Sequence, residues 1–279
     1  MKKIIIMLFL MLSQSYGISQ IDLKLEDNLF VRIRVPKKGI VCSNQGRVER
    51  ITTILTDVQT YEVPWGPKIF IGKYKDQEIF IASAPVGAGS GLMFTELYSA
   101  GADYIVRYGS DDVKNIMDGE ESLIKIVDET DNLYGFNMAS GVPEEEWGKS
   151  IFASDVILQA LKAEAHDRKL MVEVRVCHHL ENYHALRTPN KFSYKRGKKL
   201  YKQLNAIKRR DKKESMDMES AVLFRVAKDF GKHAASVLQT VNKNDSKMGP
   251  YEGVNREQAI GLETIFVDYI LSSLLRINE

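Results

Sequence analysis

Apolar runs at a spacing of two alternate along this chain with runs at helical spacing, and that alternation admits few architectures. Residues 39–43, 103–107, 123–127, 171–177 and 234–241 read as strands. Residues 68–74 and 78–83 read as a hairpin about Lys75-Asp76-Gln77. Helical spacing marks 92–100, 151–165, 219–230 and 260–275, with Ile151, Val156, Ile157, Ala160 and Leu161 expected inward in the second of these. Interleaved elements of this kind predict an α/β fold with a mixed central sheet. The chain of 279 residues is long enough for one large domain, and neither an internal repeat nor a linker divides it.

Two segments each put one charged side chain at the edge of an apolar element. In 102–110, Arg107 ends the short strand 104–107 and a Gly-Ser turn is expected after it, with Ser110 supplying a hydroxyl and an N–H. In 216–224, Glu219 heads the apolar helical run Ala221, Val222, Phe224, Val226. An arginine at a strand end suits an oxyanion such as phosphate. A carboxylate suits a pair of vicinal hydroxyls. Together they point to a site for a sugar and a phosphate. Gly87, Gly89 and Gly91 open the 92–100 helix, where backbone N–H groups favour anions.

The Met218-Glu219 pair, the Arg107-x-Gly109-Ser110 segment and their order resemble the superfamily of purine nucleoside phosphorylases and uridine phosphorylases, closest in motif to the uridine enzymes. The resemblance runs from about Gly17 to the C-terminus. It implies a single α/β domain with a partly barrel-like sheet flanked by helices. It also implies phosphorolysis of a nucleoside to free base and ribose 1-phosphate, with inorganic phosphate as co-substrate and no metal or organic cofactor. Sites of the family lie at subunit contacts, so a homodimer or homohexamer is expected.

The resemblance assigns roles residue by residue. Arg47, Arg107, Ser110 and Ser43 would hold phosphate. The segment 42–47 falls where the family has Pro-Gly-Asp-Pro-x-Arg, and of that motif the arginine is kept; Ser43 stands at the glycine that lets backbone approach phosphate. Asp111 and Asp112 would repel phosphate if they faced it. The family's third phosphate arginine comes from a neighbouring subunit, and Lys68 is the cation nearest in sequence to its place. Glu219 would accept from the 2′- and 3′-hydroxyls while Met218 packs on the flat face of the ribose. The base would meet Gly87, Tyr183, Arg187 and Lys243, with Arg187, Asn242 and Lys243 stabilising charge as it leaves. Purine enzymes have an aspartic acid where Asn242 stands, whereas Val241-Asn242-Lys243 is similar to the Val-Asn-Arg of uridine phosphorylases. A uridine-type nucleoside is therefore favoured. A purine nucleoside phosphorylase using Asp245, a nucleosidase, and a non-catalytic nucleoside-binding relative stay open.

Three features lie outside this site. Lys2-Lys3, the apolar run 4–12 and small residues at Ser15 and Gly17 fit a secretory signal over 1–17, ahead of a domain at 18–279. That predicts a secretory or extracellular protein, and a cytoplasmic one if the leader is not used; the run is too short to span a bilayer. Residues 25–38 read as an insertion. Residues 191–213 carry eleven basic residues and one acidic one. With a net charge of +2 overall, that run reads as a solvated surface, with no nucleic-acid partner expected. Cys42 and Cys177 form no zinc spacing, and a bridge between them is left open.

Overall fold

The computed structural model describes residues 21–63, 67–111, 124–131, 133–182, 214–240 and 256–278. The expectations for 1–17, Asp112, Tyr183, Arg187, 191–213, Asn242, Lys243 and Asp245 lie outside these residues.

One mixed sheet of ten strands organises the described residues. The strands are β1 (Lys38–Cys42), β2 (Thr56–Glu62), β3 (Lys68–Tyr74), β4 (Gln77–Ser83), β5 (Tyr104–Asp111), β6 (Ile124–Asp131), β7 (Ile151–Phe152), β8 (Val172–His179), β9 (Glu214–Asp217) and β10 (His233–Thr240). They lie in the order β2-β3-β4-β1-β5-β10-β6-β8-β9, with β7 paired to β6. The pairs β1–β4, β1–β5, β5–β10, β6–β8 and β8–β9 are parallel, and β2–β3, β3–β4, β6–β10 and β6–β7 are antiparallel. The helices are α1 (Gln45–Ile51), α2 (Ser90–Ser99), α3 (Gly135–Ala139), α4 (Asp155–Asp167), α5 (Ser220–Phe230) and α6 (Arg256–Leu275).

The helices cover both faces. On one, α2 packs on α5, with the Tyr98 and Phe230 rings stacked at 5.8 Å. On the other, Tyr269 of α6 donates its hydroxyl to the Leu161 carbonyl of α4 at 2.9 Å, and Phe266 meets Tyr108 of β5 edge to face. Central strands buried on both sides read as continuous apolar runs, as Ile40-Val41 and Ile105-Val106 do. The far end of the sheet curls back toward β5. Asp111 of β5 is fully buried and accepts from Lys125 of β6, from Ser215 Oγ at 3.1 Å and from the Met216 N–H of β9 at 3.3 Å. These bonds draw β5, β6 and β9 together and give that half of the sheet its barrel-like closure.

Several elements differ from expectation. Strand β5 does not stop at Arg107 before a turn. It pairs with β10 through Asp111, so Gly109 and Ser110 are strand residues. The expected helix at 151–165 splits: Ile151 and Phe152 pair with β6, and α4 begins at Asp155. Val156 consequently faces outward, while Ile157, Ala160 and Leu161 are buried. Strands β2 and β9 had no counterpart in the periodicity. β2 is an exposed edge strand without an apolar face, and β9 has four residues. The hairpin turn is Lys75-Asp76 alone, both at positive φ, as a two-residue turn between twisted strands requires. Cys42 and Cys177 are both buried free thiols, so no bridge joins them.

Residues 25–38, read as an insertion, pack against α2. Glu96, 2% exposed, accepts the N–H groups of Leu29, Phe30 and Val31 at 2.7–2.8 Å, and Asn28 donates to the Val31 and Glu96 carbonyls. One carboxylate thus satisfies three backbone donors in a segment with no ladder of its own. Glu96→Ala strands those donors and should destabilise the fold by about 3 kcal/mol or more. A lowered urea midpoint at unchanged slope is the expected result; an unchanged midpoint would show that the carboxylate does not anchor the segment.

Candidate active site around Arg107 and Glu219

The guanidinium of Arg107 lies at the meeting of β5, β9, the start of α5 and the 87–91 loop. Its Nη2 donates to Glu219 Oε2, and its Nη1 is 2.8 Å from Asp217 Oδ2. Glu219 Oε1 accepts the Gly87 N–H at 2.8 Å. All three charged side chains are nearly inaccessible, at 3% for Arg107, 5% for Asp217 and 3% for Glu219. Burial works against the charge on Arg107, and Asp217 and Glu219 more than reverse it, so the guanidinium is held charged above its ordinary range. The group as a whole carries one excess negative charge, which the N-terminus of α5 opposes through the Ser220 N–H. The Arg107 Nε and Nη1 protons have no aligned acceptor among the described residues, even though Asp217 stands within ion-pair distance.

Local sequence explains how the group is held. A Cβ on Gly109 would fall 1.8 Å from Arg107 Nη1 and 2.4 Å from its Cζ, so the guanidinium lies back over the glycine backbone. The Arg-x-Gly spacing therefore makes room for the arginine, and no turn is involved. Gly87 has φ +73°, a conformation glycine adopts freely, and this aims its N–H at Glu219. Met218 is half-buried, and its Cε would lie 3.5 Å from a Cβ on Gly87. Glu219 occupies the position before α5, yet its carboxylate does not cap the helix. Asp217 does so, accepting from the Ser220 N–H at 3.2 Å and from the Ser220 hydroxyl, whose oxygen is 2.8 Å from Ser236 Oγ. That division of labour leaves Glu219 free to face the 87–91 loop.

The second arginine belongs to a separate cluster. Alternate residues of β5 point to opposite faces, so Ser110 turns away from Arg107 toward α1 and α6. Arg47 Nη2 donates to Ser110 Oγ at 3.0 Å, Nε donates to Glu263 of α6 at 3.0 Å, and the guanidinium lies 4.8 Å over the Tyr108 ring. Arg50 holds the same Glu263 through two bonds of 2.8 and 3.0 Å. Burial lifts the Cys42 thiol to about 12 while both Arg47 and Arg107 pull it down, so this residue at the end of β1 feels both clusters. Ser43 is half-buried at the step from β1 to α1, and Asn44 caps α1 by accepting the Arg47 N–H at 2.9 Å.

Other expected residues find different partners. Asp111 does not stand in the way of an anion: it is matched by Lys125 and spent on sheet closure. Lys68 pairs with Glu49 at 3.3 Å and Glu62 at 3.6 Å on the surface. His178 is bonded to Asp131 at 2.7 Å, His166 is exposed, and His233 stacks on Tyr104 at 4.7 Å. Among the described residues no group of three His, Cys, Asp or Glu is placed to hold a metal ion, and no helix is long and apolar enough to cross a membrane. Asp217, Arg50 and Glu263 were missed by the sequence reading. Asp217 sits two before Glu219, the spacing that puts both on one side of an extended segment; nothing local marks Glu263 inside α6.

Gly109→Ala tests the packing. The new methyl cannot coexist with the Arg107 guanidinium, so a loss of about 1–3 kcal/mol is expected in urea unfolding. Gly261→Ala in α6, with nothing within 4 Å of the added carbon, is the control and should be neutral or stabilising. Equal stability of the two variants would contradict the assigned position of the guanidinium.

No family model and no curated sequence matches the chain. Solved structures are similar to it in fold. Uridine phosphorylase from Vibrio fischeri ES114, complexed with 6-hydroxy-1-naphthoic acid, is 23% identical over 87% of this chain and 93% of its own, with a TM-score of 0.66. The Campylobacter jejuni 5′-methylthioadenosine/S-adenosyl homocysteine nucleosidase is 15% identical over 87% of this chain and 100% of its own, with a TM-score of 0.64. A futalosine hydrolase mutant from Helicobacter pylori is 14% identical over the same shares, with a TM-score of 0.61. With its mixed sheet, barrel-like closure and flanking helices, this chain has the nucleoside phosphorylase-like α/β fold.

Proposed function

We propose that this protein cleaves the N-glycosidic bond of a nucleoside, with phosphate as the acceptor and a uridine-type base as the leaving group. The observation that carries this reading is the carboxylate of Glu219, oriented by Arg107 and the Gly87 N–H beside the half-buried Met218. A carboxylate whose other contacts are already set binds two vicinal hydroxyls with little reorganisation. Met218 supplies the apolar surface for the sugar. Arg107 keeps N–H groups without aligned acceptors and so retains capacity for an oxyanion, whereas Arg47, bonded to Ser110 and Glu263 on the other face of β5, would join it with Ser43 only by leaving those partners. Arg187, Asn242 and Lys243 would stabilise charge on the departing base, and Tyr183 would stack on it. The similar folds include a uridine phosphorylase, a nucleosidase and a hydrolase, which supports glycosidic cleavage in general. No organic cofactor or metal enters this scheme, and a homo-oligomer would complete the site.

One observation favours water as the acceptor instead. Arg107 faces Asp217 and Glu219, while Arg47 and Arg50 face Glu263, so three guanidinium groups meet three carboxylates and the cations are matched before any anion arrives. Product analysis separates the two: ribose 1-phosphate marks phosphorolysis and free ribose marks hydrolysis. Phosphate is expected to raise the melting temperature by mass action, and Arg107→Ala to abolish that rise. Identical melting curves with and without phosphate would transfer the reading to hydrolysis.

The sugar clamp has its own test. Glu219→Ala should lower nucleoside affinity by about 1.5–3 kcal/mol in calorimetry. Uridine should be preferred over inosine and adenosine. Unchanged affinity in the variant would remove Glu219 from the site, and ready cleavage of inosine with uridine ignored would point to Asp245 and a purine substrate.

A further inference from the structure

His179 is the last residue of β8 and is buried with 0% of its side chain exposed, yet neither ring nitrogen makes a hydrogen bond among the described residues. Among the described residues its charged neighbour at short range is Glu181, whose Oε2 lies 3.7 Å from Nε2. Leaving an imidazole dry and unbonded is costly, so such a group calls for an explanation. Glu181 is held in place. It accepts the N–H groups of Tyr134 at 2.9 Å and Gly135 at 2.6 Å, at the start of α3. Burial works against its charge, and His179 with those two N–H groups reverses this, keeping the carboxyl below its ordinary range. A carboxylate is therefore fixed against one edge of the ring, and Nδ1 has no partner among the described residues.

The register says which way the ring faces. His179 pairs with Asp217 across the parallel β8–β9 ladder, and paired residues point to the same side. Asp217 reaches Arg107 on that side, and Cys177, two residues before His179, lies in the field of Asp217, Asp111 and Arg107. His178 points the other way, to Asp131. The loop that holds Glu219 is joined to the same region: Phe136 of α3 fills the space beside Gly91, and Glu181 sits at the start of α3. The groups that face His179 are thus Glu181, Asp217, Arg107 and the Cys177 thiol.

We infer that His179, seated on Glu181, is the general acid that hands a proton to the departing base. The inference rests on the glycosidic cleavage proposed above and adds a proton donor to it. As the C1′–N bond breaks, its electron pair passes to the base, and the imidazolium proton passes with it, leaving neutral base and neutral imidazole. C1′ takes an oxygen from hydrogen phosphate or water, and the proton released by that acceptor restores the imidazolium. Glu181, 3.7 Å from Nε2, seats the ring, and Nδ1 meets no competing acceptor among the described residues.

The test compares two leaving groups in the full-length protein. With uridine, His179→Asn should lower kcat about 10²–10⁴-fold with KM nearly unchanged. With p-nitrophenyl β-D-ribofuranoside, whose nitrophenolate leaves without a proton, the same variant should stay within about threefold of the native rate. Glu181→Gln should leave the fold intact and lower kcat on uridine at least about tenfold while sparing the nitrophenyl riboside, since the ring loses the carboxylate that seats it. Equal losses on both substrates in either variant, or no loss on uridine, would overturn the role of His179 while leaving glycosidic cleavage standing. If His179→Asn fails to fold, the comparison of the two substrates in Glu181→Gln decides alone. A native protein that cleaves neither substrate would overturn the parent reading.

Discussion

The ion pairing of Arg107 with Glu219 and Asp217 is the constraint on which the rest of this region depends. It joins a central strand, an edge strand, a helix start and a glycine loop that are far apart in sequence. Its contribution to net stability is small by ordinary reckoning, because taking three charges out of water costs about as much as their attraction returns. What it does supply is a defined geometry. Removing Arg107 alone leaves two uncompensated buried carboxylates, which is far more costly than losing the whole group. The side chains are accordingly confined to one arrangement, with the Glu219 carboxylate aimed beside Met218.

Strand alternation then divides the chemistry. Odd residues of β5, Arg107 and Asp111, face the curled half of the sheet, where Lys125, Ser215, Asp217 and Ser236 lie. Even residues, Tyr108 and Ser110, face α1 and α6, where Arg47, Arg50 and Glu263 form the second cluster. The two clusters communicate through β5 and through Cys42 at the end of β1, with no direct bond between their guanidinium groups among the described residues. A polar interior of this extent is tolerable because most members are matched; among the described residues the buried atoms without a hydrogen bond include those on Arg107 and His179, where a ligand is proposed, and both amide atoms of Asn137 in α3.

The apolar layers give these groups a rigid frame. Phe80, Ile40, Ile105, Leu97, Phe224 and Ile270 are all essentially inaccessible and span both faces of the sheet. Glu96 extends the frame over residues 28–31 by satisfying backbone donors that have no sheet partner. The 87–91 loop is pinned at both ends, by Glu219 at Gly87 and by Phe136 at Gly91. A site composed of short contacts among different elements keeps its geometry only while such a frame resists local shifts.

The class of fold, and the two charged residues at the centre of the candidate site, were legible in the sequence. Strand and helix periods are local properties, and one charge at the edge of an apolar run must find a partner or water, so Arg107 and Glu219 stood out. It also marked Gly87 and Gly109, although the reason for Gly109 was legible only once the guanidinium was seen lying over it. Tertiary structure alone decided the rest. β9 is too short to show a period, β2 has no apolar face, and the end of β5 depends on how far β10 accompanies it. The partners Asp217, Glu263 and Arg50, the use of Asp111 for closure, and the isolation of His179 are pairings between distant segments. No local pattern encodes them, because which charge meets which is settled by sheet order and by the face on which each side chain emerges.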